Sequence, residues 1–365
     1  MLRHLYLHIP FCHRVCPYCS FYKHQHGSTD LAAFVEAMLA EARMKADQIV
    51  PHTVYFGGGT PTALSETHLT RLLAGLREII DFSEVTEYTM EANPRTVTAS
   101  KADMMRAMGV NRISVGIQAW DAETLKTLGR DHAASEAEET YHILRAAGFP
   151  SLNVDLMFSI PGQSAEAWRH TLEHTLSLQP DHISAYNLNY EEDTEFFQRL
   201  RRGQYRENED RDADFFYTAM DLLEGAGFEH YEISNYARPG KRSRHNESYW
   251  LGEEYAGLGP SAYSTVAGNR WQNIADTTRY IEMLNAGQSA AQPGEALTPD
   301  QRRTERFGLE LRTKRGLPVS LIQPDSQKMV ETLQREGLLN IVDSYIRLTR
   351  EGKPLVDSVA VALMG

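Results

Sequence analysis

Residues 5–21 read Leu5-Tyr-Leu-His-Ile-Pro-Phe-Cys12-His-Arg-Val-Cys16-Pro-Tyr-Cys19-Ser-Phe21. The alternating apolar residues at the start predict a short buried strand, and the following proline ends it. The three cysteines of the whole chain then fall within eight residues, in the spacing C-x3-C-x2-C. Three thiolates this close in sequence can bind one soft metal centre. The stretch therefore predicts a strand that leads directly into a metal-binding loop.

Two kinds of metal centre are compatible with three cysteines. A structural zinc site needs four ligands, so His13 or His24 would have to supply the fourth. A 4Fe–4S cluster is usually held by four cysteines, and three would leave one iron open to a small molecule. Three unrelated buried thiols are the remaining interpretation. The close spacing favours the cluster.

The strand before the cysteines is the first of six that alternate with amphipathic helices. The predicted strands cover residues 5–9, 53–56, 87–91, 112–117, 152–158 and 182–188, and a seventh run follows at 230–236. Each intervening segment is long enough for a right-handed crossover between parallel strands. The pattern predicts an α/β fold with an incomplete parallel barrel of the (β/α)6, TIM-like type. A doubly wound open sheet shows the same alternation and is the alternative.

The composition changes after residue 237, and the predicted domains divide there. Residues 1–237 form the barrel domain, 238–297 a connecting segment rich in Gly, Tyr and Trp, and 298–365 a smaller C-terminal domain. Helical patterns and a short hairpin around Asp343-Ser344 predict that this last domain is mainly helical and winged-helix-like. Such domains often bind DNA, but the chain has 37 basic and 49 acidic side chains, a net charge of −12. This balance argues against nucleic acid as the main partner.

The composition also narrows the class of protein. Apolar residues make up 42% and charged residues 24% of the chain, which are ordinary values for a globular protein. We find no apolar run of eighteen residues and no secretory signal at the N-terminus, so neither a membrane span nor secretion is expected. We expect a cytoplasmic protein, for which a partner in the membrane would still permit peripheral association.

The cysteine spacing, with Tyr18 before the third cysteine, resembles that of the radical S-adenosylmethionine (SAM) superfamily. The wider frame Tyr6-Leu-His-Ile-Pro-Phe-Cys12 is similar to the HemN/HemW group, which contains oxygen-independent coproporphyrinogen III oxidases and heme chaperones. The resemblance implies that Cys12, Cys16 and Cys19 hold a 4Fe–4S cluster whose open iron binds SAM. It also implies an electron donor, because reduction of the cluster cleaves SAM to a 5′-deoxyadenosyl radical.

Further motifs lie at the carboxyl ends of the predicted strands, where parallel sheets and barrels place their ligand sites. Residues 57–62, Gly-Gly-Gly-Thr-Pro-Thr, would let backbone amides approach a ligand without a Cβ in the way. Asp155 interrupts an apolar strand, and an ion pair with Arg130 is one explanation for a charge there. In the oxidases a subset of the SAM-site residues serves a second SAM. The resemblance implies that SAM is bound by Tyr6, Tyr18, Gly58, Gly59, Thr60, Glu91, Gln118, Arg130 and Asp155.

The oxidases and the heme chaperones differ at features that the sequence contains. The oxidase motif continues with a fourth cysteine two residues after the third, where this chain has Phe21. The oxidases also have a segment of several dozen residues before the Tyr-x-His-Ile-Pro motif, which we expect this chain to lack. These features favour a heme chaperone that delivers heme to recipient heme proteins, with coproporphyrinogen III oxidase as the alternative. Whether the protein is an enzyme is left open, although SAM cleavage is expected.

Residues 245–250, His-Asn-Glu-Ser-Tyr-Trp, match the HNxxYW signature of the heme chaperone group. A neutral histidine can bind heme iron, so His245 is the candidate ligand, although it could instead position the loop. Tyr249 and Trp250 could supply flat apolar surface for the porphyrin. Basic side chains just before the motif could bind the propionates, and these are Arg238, Lys241, Arg242 and Arg244.

Overall fold

Six parallel strands form the centre of the main sheet and lie side by side in sequence order. The computed structural model describes residues 1–364. Within these residues the outermost strands of the sheet are not hydrogen-bonded to each other. The predicted α/β fold with an incomplete parallel barrel is therefore confirmed. The six strands are β1 (Leu2–Ile9), β2 (Ile49–Gly58), β3 (Glu87–Ala92), β4 (Arg112–Gln118), β5 (Ser151–Phe158) and β6 (His182–Asn187).

Helices connect successive strands in the order expected for parallel crossovers. Asp30, Ser65 and Ser164 begin three of them by accepting a hydrogen bond from a backbone N–H three residues further on. Two helices separate β4 from β5. The helices of this part are α1 (Leu31–Lys45), α2 (Glu66–Ile79), α3 (Ala99–Ala107), α4 (Ala122–Thr127), α5 (Ala134–Ala146) and α6 (Ala165–Ser177).

Short strands extend the sheet beyond β6. After α7 (Glu195–Arg201) and α8 (Glu209–Gly225), the antiparallel pair β7 (Glu229–Glu232) and β8 (Asn235–Ala237) follows, with β8 against β6. The prediction of a single strand over residues 230–236 is therefore wrong. The chain turns at Ile233, whose N–H donates to the carbonyl of Arg312 instead of to a neighbouring strand.

The connecting segment adds one strand to the other edge of the sheet, next to β1. After the helix α9 (Arg244–Trp250), the strand β9 (Ala256–Leu258) pairs in parallel with β1. A small antiparallel sheet follows, which consists of β10 (Tyr263–Val266), β11 (Asn269–Gln272) and β12 (Glu295–Ala296), with α10 (Thr277–Asn285) inserted before its last strand.

A buried carboxylate fixes this connecting segment to α1. Glu41 is only 3% exposed and accepts hydrogen bonds from Lys45 Nζ at 2.6 Å and from the Gly259 N–H at 2.9 Å. It also accepts from Asn273 Nδ2 at 2.7 Å and from the Tyr280 hydroxyl at 2.6 Å. Because it accepts from Gly259, Asn273 and Tyr280 at once, Glu41 holds three separate parts of the connecting segment in place.

The last elements form a helical unit with a three-stranded wing and a hydrophobic cluster of their own. Its sheet has the order β13-β15-β14, and the hairpin of β14 and β15 turns at Asp343 and Ser344, as the sequence predicts. No helix within residues 1–364 is long and apolar enough to cross a membrane. The elements are α11 (Pro299–Glu310), β13 (Leu317–Pro318), α12 (Gln327–Arg335), β14 (Leu339–Val342), β15 (Tyr345–Leu348) and α13 (Val356–Met364).

Candidate functional site

A cavity of about 410 Å³ opens at the carboxyl ends of the parallel strands. This volume lies within the usual range for small-molecule sites. Tyr6 does not line it, because its ring lies behind that of Tyr55, with the two centroids 6.3 Å apart. Eight of the nine residues that the resemblance assigns to SAM line the cavity, and they are Tyr18, Gly58, Gly59, Thr60, Glu91, Gln118, Arg130 and Asp155.

The loop with the three cysteines borders this cavity. The Cys12 N–H donates to the carbonyl of His24 at 2.9 Å, and the His24 N–H donates back to the carbonyl of Pro10 at 2.8 Å. The Thr60 hydroxyl lies 3.7 Å from Cys12 Sγ, and a guanidinium nitrogen of Arg130 lies 3.7 Å from Cys16 Sγ. The loop is thus closed at its base and in contact with the segments that follow β2 and β4.

The thiols suit a cluster better than a single metal ion. Within residues 1–364, no three His, Cys, Asp or Glu side chains converge on one point that could hold an ion. Zinc would need such convergence, and both ring nitrogens of His24 are already within 2.8 Å of other partners. The three cysteines of a 4Fe–4S cluster bind different irons and need no common point. Burial raises the pKa of Cys12 to about 11, so a positively charged centre would favour the thiolates.

The glycine run packs against the cysteine loop. The absence of a Cβ at these glycines was expected to make room for a ligand, and the structure shows a different use of that space. The Gly59 N–H donates to the carbonyl of Ile9 at 2.8 Å, and a Cβ on Gly59 would lie 2.8 Å from the carbonyl oxygen of Phe11. Gly58 has a φ of 104°, and a Cβ there would lie 2.6 Å from the ring of His8. The space that these glycines leave free is filled by β1 and the loop rather than kept for a ligand.

Glu91 points a carboxylate into the cavity from the end of β3. The Tyr55 hydroxyl donates a hydrogen bond of 2.7 Å to its Oε1. Burial raises the pKa of Glu91 to about 7, and the nearby Asp155 adds to the rise while Tyr55 opposes it. Tyr55 also lines the cavity and fixes this carboxylate, and no motif in the sequence predicted it as a site residue.

Asp155 is held by neutral donors and not by an ion pair. Its oxygens accept from Ser114 Oγ at 2.9 Å and from Asn153 Nδ2 at 2.7 Å. Arg130 instead donates to the carbonyl of Gly116 and contacts the cysteine loop. The ion pair of Asp155 with Arg130 is therefore not formed, and burial raises the pKa of Asp155.

Gln118 lies at an irregular strand end. Its φ is 74°, which is unusual for a residue other than glycine, and the register between β4 and β5 shifts just before it. Gln118 lines the cavity at this point. A strained backbone at the edge of a cavity is common at functional sites.

The HNxxYW residues lie on α9, away from the cavity surface. His245 is fully buried, with Nδ1 2.7 Å from Thr53 Oγ1 and Nε2 2.8 Å from the Tyr249 hydroxyl. With both ring nitrogens engaged, the side chain has no position free for heme iron. Tyr249 packs edge-on against His245, with centroids 4.9 Å apart, and Trp250 is only partly exposed. His245 and Tyr249 thus form a packed pair rather than an open surface.

The basic residues before the motif are also engaged. Arg242 pairs with Glu229 and Glu247, at 2.5 and 2.9 Å. The Arg238 guanidinium lies 4.1 Å from the centre of the Phe228 ring. Lys241 and Arg244 donate to protein oxygens at 2.6 and 3.1 Å. The expected propionate-binding loop is therefore a set of internal contacts.

Two segments of this chain match known protein families. Residues 6–175 match the radical SAM superfamily, and residues 297–355 match the HemN C-terminal domain. The structure of coproporphyrinogen III oxidase (HemN) from Escherichia coli, a radical SAM enzyme, is similar with a TM-score of 0.86. That similarity covers 99% of this chain and 90% of the oxidase at 24% sequence identity, so it shows a common fold.

The chain is also similar to heme chaperones along its whole length. The heme chaperone HemW of Lactococcus lactis is 34% identical over 93% of this chain and 89% of that protein. HemW of Bacillus subtilis is 30% identical over 100% of both, and HemW of Escherichia coli is 33% identical over 97% and 96%. Because the identity reaches 30% or more over nearly the entire length of these proteins, the chain belongs to the HemW family within the radical SAM superfamily.

Proposed function

We propose that this protein binds heme and delivers it to recipient heme proteins, and that it carries a 4Fe–4S cluster and SAM. The observation that carries the proposal is the full-length similarity to HemW heme chaperones. The three-cysteine loop beside a cavity with two carboxylates supports the cofactor part of the proposal.

Different side chains at the cavity would bind different parts of SAM. Together, the cluster and SAM supply one-electron chemistry when bound. Glu91, fixed by Tyr55, would accept hydrogen bonds from the ribose hydroxyls, and Asp155 would accept from a second polar part of the ligand. Arg130 holds the cysteine loop against the strand end through the contacts to Cys16 and Gly116 described above. These roles follow from acceptor atoms that face the same cavity.

Phe21 argues against the oxidase reaction. It lines the mouth of the cavity and is 67% exposed, which is unusual for such a large apolar side chain. In the oxidases this position is a cysteine, and a phenylalanine can neither donate a proton nor bind a metal. The side chain instead offers an apolar surface beside the cysteine loop.

The two functions can be separated with the reconstituted protein under anaerobic conditions. Heme and coproporphyrinogen III are added in separate experiments, the latter with SAM and a reductant. We expect a Soret band from bound heme, transfer of that heme to an apo heme protein, and no decarboxylated porphyrinogen. Decarboxylation without heme binding would make the oxidase assignment correct. A Cys12→Ala variant serves as the control that lacks the cluster.

A further inference from the structure

The HNxxYW segment packs against β2 and β3 below the level of the cavity, with His245 and Ser248 buried. We call residues 243–250 the floor segment. Its first turn is anchored by Glu87, the first residue of β3, whose carboxylate accepts from the Arg244 N–H at 2.7 Å and from the His245 N–H at 3.1 Å. Thr53, the partner of His245, lies five residues before Gly58 on β2 and so about 16 Å below the glycine run. The floor segment therefore packs at the amino-terminal half of the parallel strands.

One chain of contacts leads from the floor segment to Glu91. The His245 ring stacks on Tyr55, with centroids 5.1 Å apart and an angle of 25° between the planes. Its ring orientation is fixed, because Thr53 and Tyr249 hold its two nitrogens. Burial lowers the pKa of His245, so the ring is neutral and supplies one donor and one acceptor. The Tyr55 ring that rests on it holds Glu91.

A second chain of contacts leads from the floor segment to Asp155. The Ser243 N–H donates to the Tyr231 hydroxyl at 3.2 Å, and that hydroxyl lies 2.7 Å from His182 Nε2. His182 Nδ1 lies 2.6 Å from Asn153 Oδ1, and Asn153 Nδ2 donates to Asp155.

The direction of these hydrogen bonds is determined. Asn153 Oδ1 can only accept, so His182 Nδ1 carries the proton and donates it. Since burial also lowers the pKa of His182, the ring is neutral, and its Nε2 accepts from the Tyr231 hydroxyl. The Tyr231 oxygen then accepts from Ser243. The bonds from Ser243 through Tyr231 and His182 to Asn153 therefore have one direction, which limits the ways in which these side chains can rearrange.

We propose that the floor segment positions both carboxylates of the SAM cavity, with His245 acting on Glu91 through Tyr55 and Ser243 acting on Asp155 through Tyr231, His182 and Asn153. The inference rests on the proposed binding of SAM in this cavity. His245 of the signature is then a positioning residue for the cofactor site and not a ligand of heme, because both of its nitrogens stay engaged.

The decisive variant is Tyr231→Phe, which removes one hydroxyl and keeps the ring. We expect its affinity for SAM alone, measured by calorimetry, to fall about three- to tenfold, as for loss of one hydrogen bond in a network. The effect should disappear when Asp155→Asn is already present, because Tyr231 acts through Asp155. Tyr88→Phe is the matched control, since Tyr88 is equally buried and its hydroxyl has no partner.

A second comparison separates positioning from heme ligation. His245→Gln keeps one donor and one acceptor, whereas His245→Ala keeps neither. We expect the glutamine variant to recover part of the SAM affinity lost in the alanine variant, and Tyr231→Phe to bind heme as tightly as the wild type does.

Each outcome decides the inference. Unchanged SAM affinity in Tyr231→Phe would overturn the inference. So would a loss of affinity on Tyr231→Phe that is as large in the Asp155→Asn background as in the wild type. In both cases SAM binding by the wild-type protein would leave the proposed function intact. Loss of heme with retained SAM affinity in both His245 variants would make His245 a heme ligand and overturn the inference as well. Absence of SAM binding in the wild-type protein would refute the proposed cofactor site together with the inference.

Discussion

Replacing Glu91 by glutamine tests whether this carboxylate binds the ribose of SAM. The substitution keeps the shape of the side chain and removes its charge. A hydrogen bond to a charged group contributes about 1.5–3 kcal/mol. Since 1.4 kcal/mol corresponds to a factor of ten, Glu91→Gln should weaken SAM binding about 10- to 150-fold at pH 8.

The raised pKa of Glu91 also predicts how binding depends on pH. With a pKa of about 7 in the free protein, the ionised fraction falls as the pH is lowered from 8 to 6. Because the ionised carboxylate is the better acceptor, wild-type affinity for SAM should fall about tenfold over this range. In Glu91→Gln the dependence should be lost.

The same pKa predicts the opposite trend for the stability of the free protein. A carboxyl whose pKa is raised on folding prefers to stay protonated in the folded state. The contribution of the Glu91 carboxyl to the free energy of unfolding is fully present below pH 4.5 and is lost as the pH rises towards 7. Its upper limit is about 3 kcal/mol. Glu91→Gln should therefore lose less stability than the wild type between pH 5 and pH 8, as measured by urea unfolding.

Glu232 provides a matched control. Burial also raises its pKa to about 7, but it lines a separate cavity between β7 and the C-terminal unit. Glu232→Gln should flatten the pH dependence of stability and leave SAM binding unchanged, as determined by calorimetry at pH 6, 7 and 8. Binding by Glu91→Gln within twofold of the wild type, or wild-type affinity that is constant from pH 6 to 8, would refute the role of Glu91.

Three further predictions concern the cluster, the packing of Gly59 and the buried carboxylate of Glu41. Anaerobic reconstitution should give about four irons per chain, and alanine at any of the three cysteines should prevent stable assembly; stoichiometric zinc without iron would contradict this. Gly59→Ala should reduce iron content because its Cβ would press on the Phe11 carbonyl, whereas Gly308→Ala, which meets nothing within 4 Å, should not. Glu41→Gln should lower the free energy of unfolding by about 3–5 kcal/mol, because an amide nitrogen would then face donors in the buried network. A loss below about 1 kcal/mol would show that the network does not stabilise the fold.

Local patterns predicted the parts of the fold that depend on local order. The alternation of strands and helices gave the six parallel strands, because each crossover depends mainly on the residues within it. The hairpin at Asp343 and Ser344 was also predictable, and both residues have the positive φ that such a turn requires. The family resemblance supplied nine candidate SAM residues, and eight of them line one cavity because they lie at or near the carboxyl ends of successive strands or in the loops that follow.

Contacts between distant segments could not be predicted in the same way. The strand β9 pairs with β1, about 250 positions earlier in the chain. It is only three residues long, so no hydrophobic periodicity in the sequence predicts it. The turn at Ile233 depends on a carbonyl of the C-terminal unit. Tyr55 resembles any other aromatic residue of a strand until the structure places Glu91 at its hydroxyl.

The HNxxYW signature shows why a motif does not by itself identify a ligand. Histidine, tyrosine and tryptophan suit a heme site, but they equally suit a buried cluster in which each polar atom needs one partner. The structure distinguishes these possibilities by its hydrogen bonds, since the partners of His245 lie on β2 and within the floor segment itself. A signature of this kind can thus mark the shape of the SAM cavity rather than the place where heme binds. On the inference above, substitutions in this segment would change the affinity for SAM even though none of its residues lines the cavity.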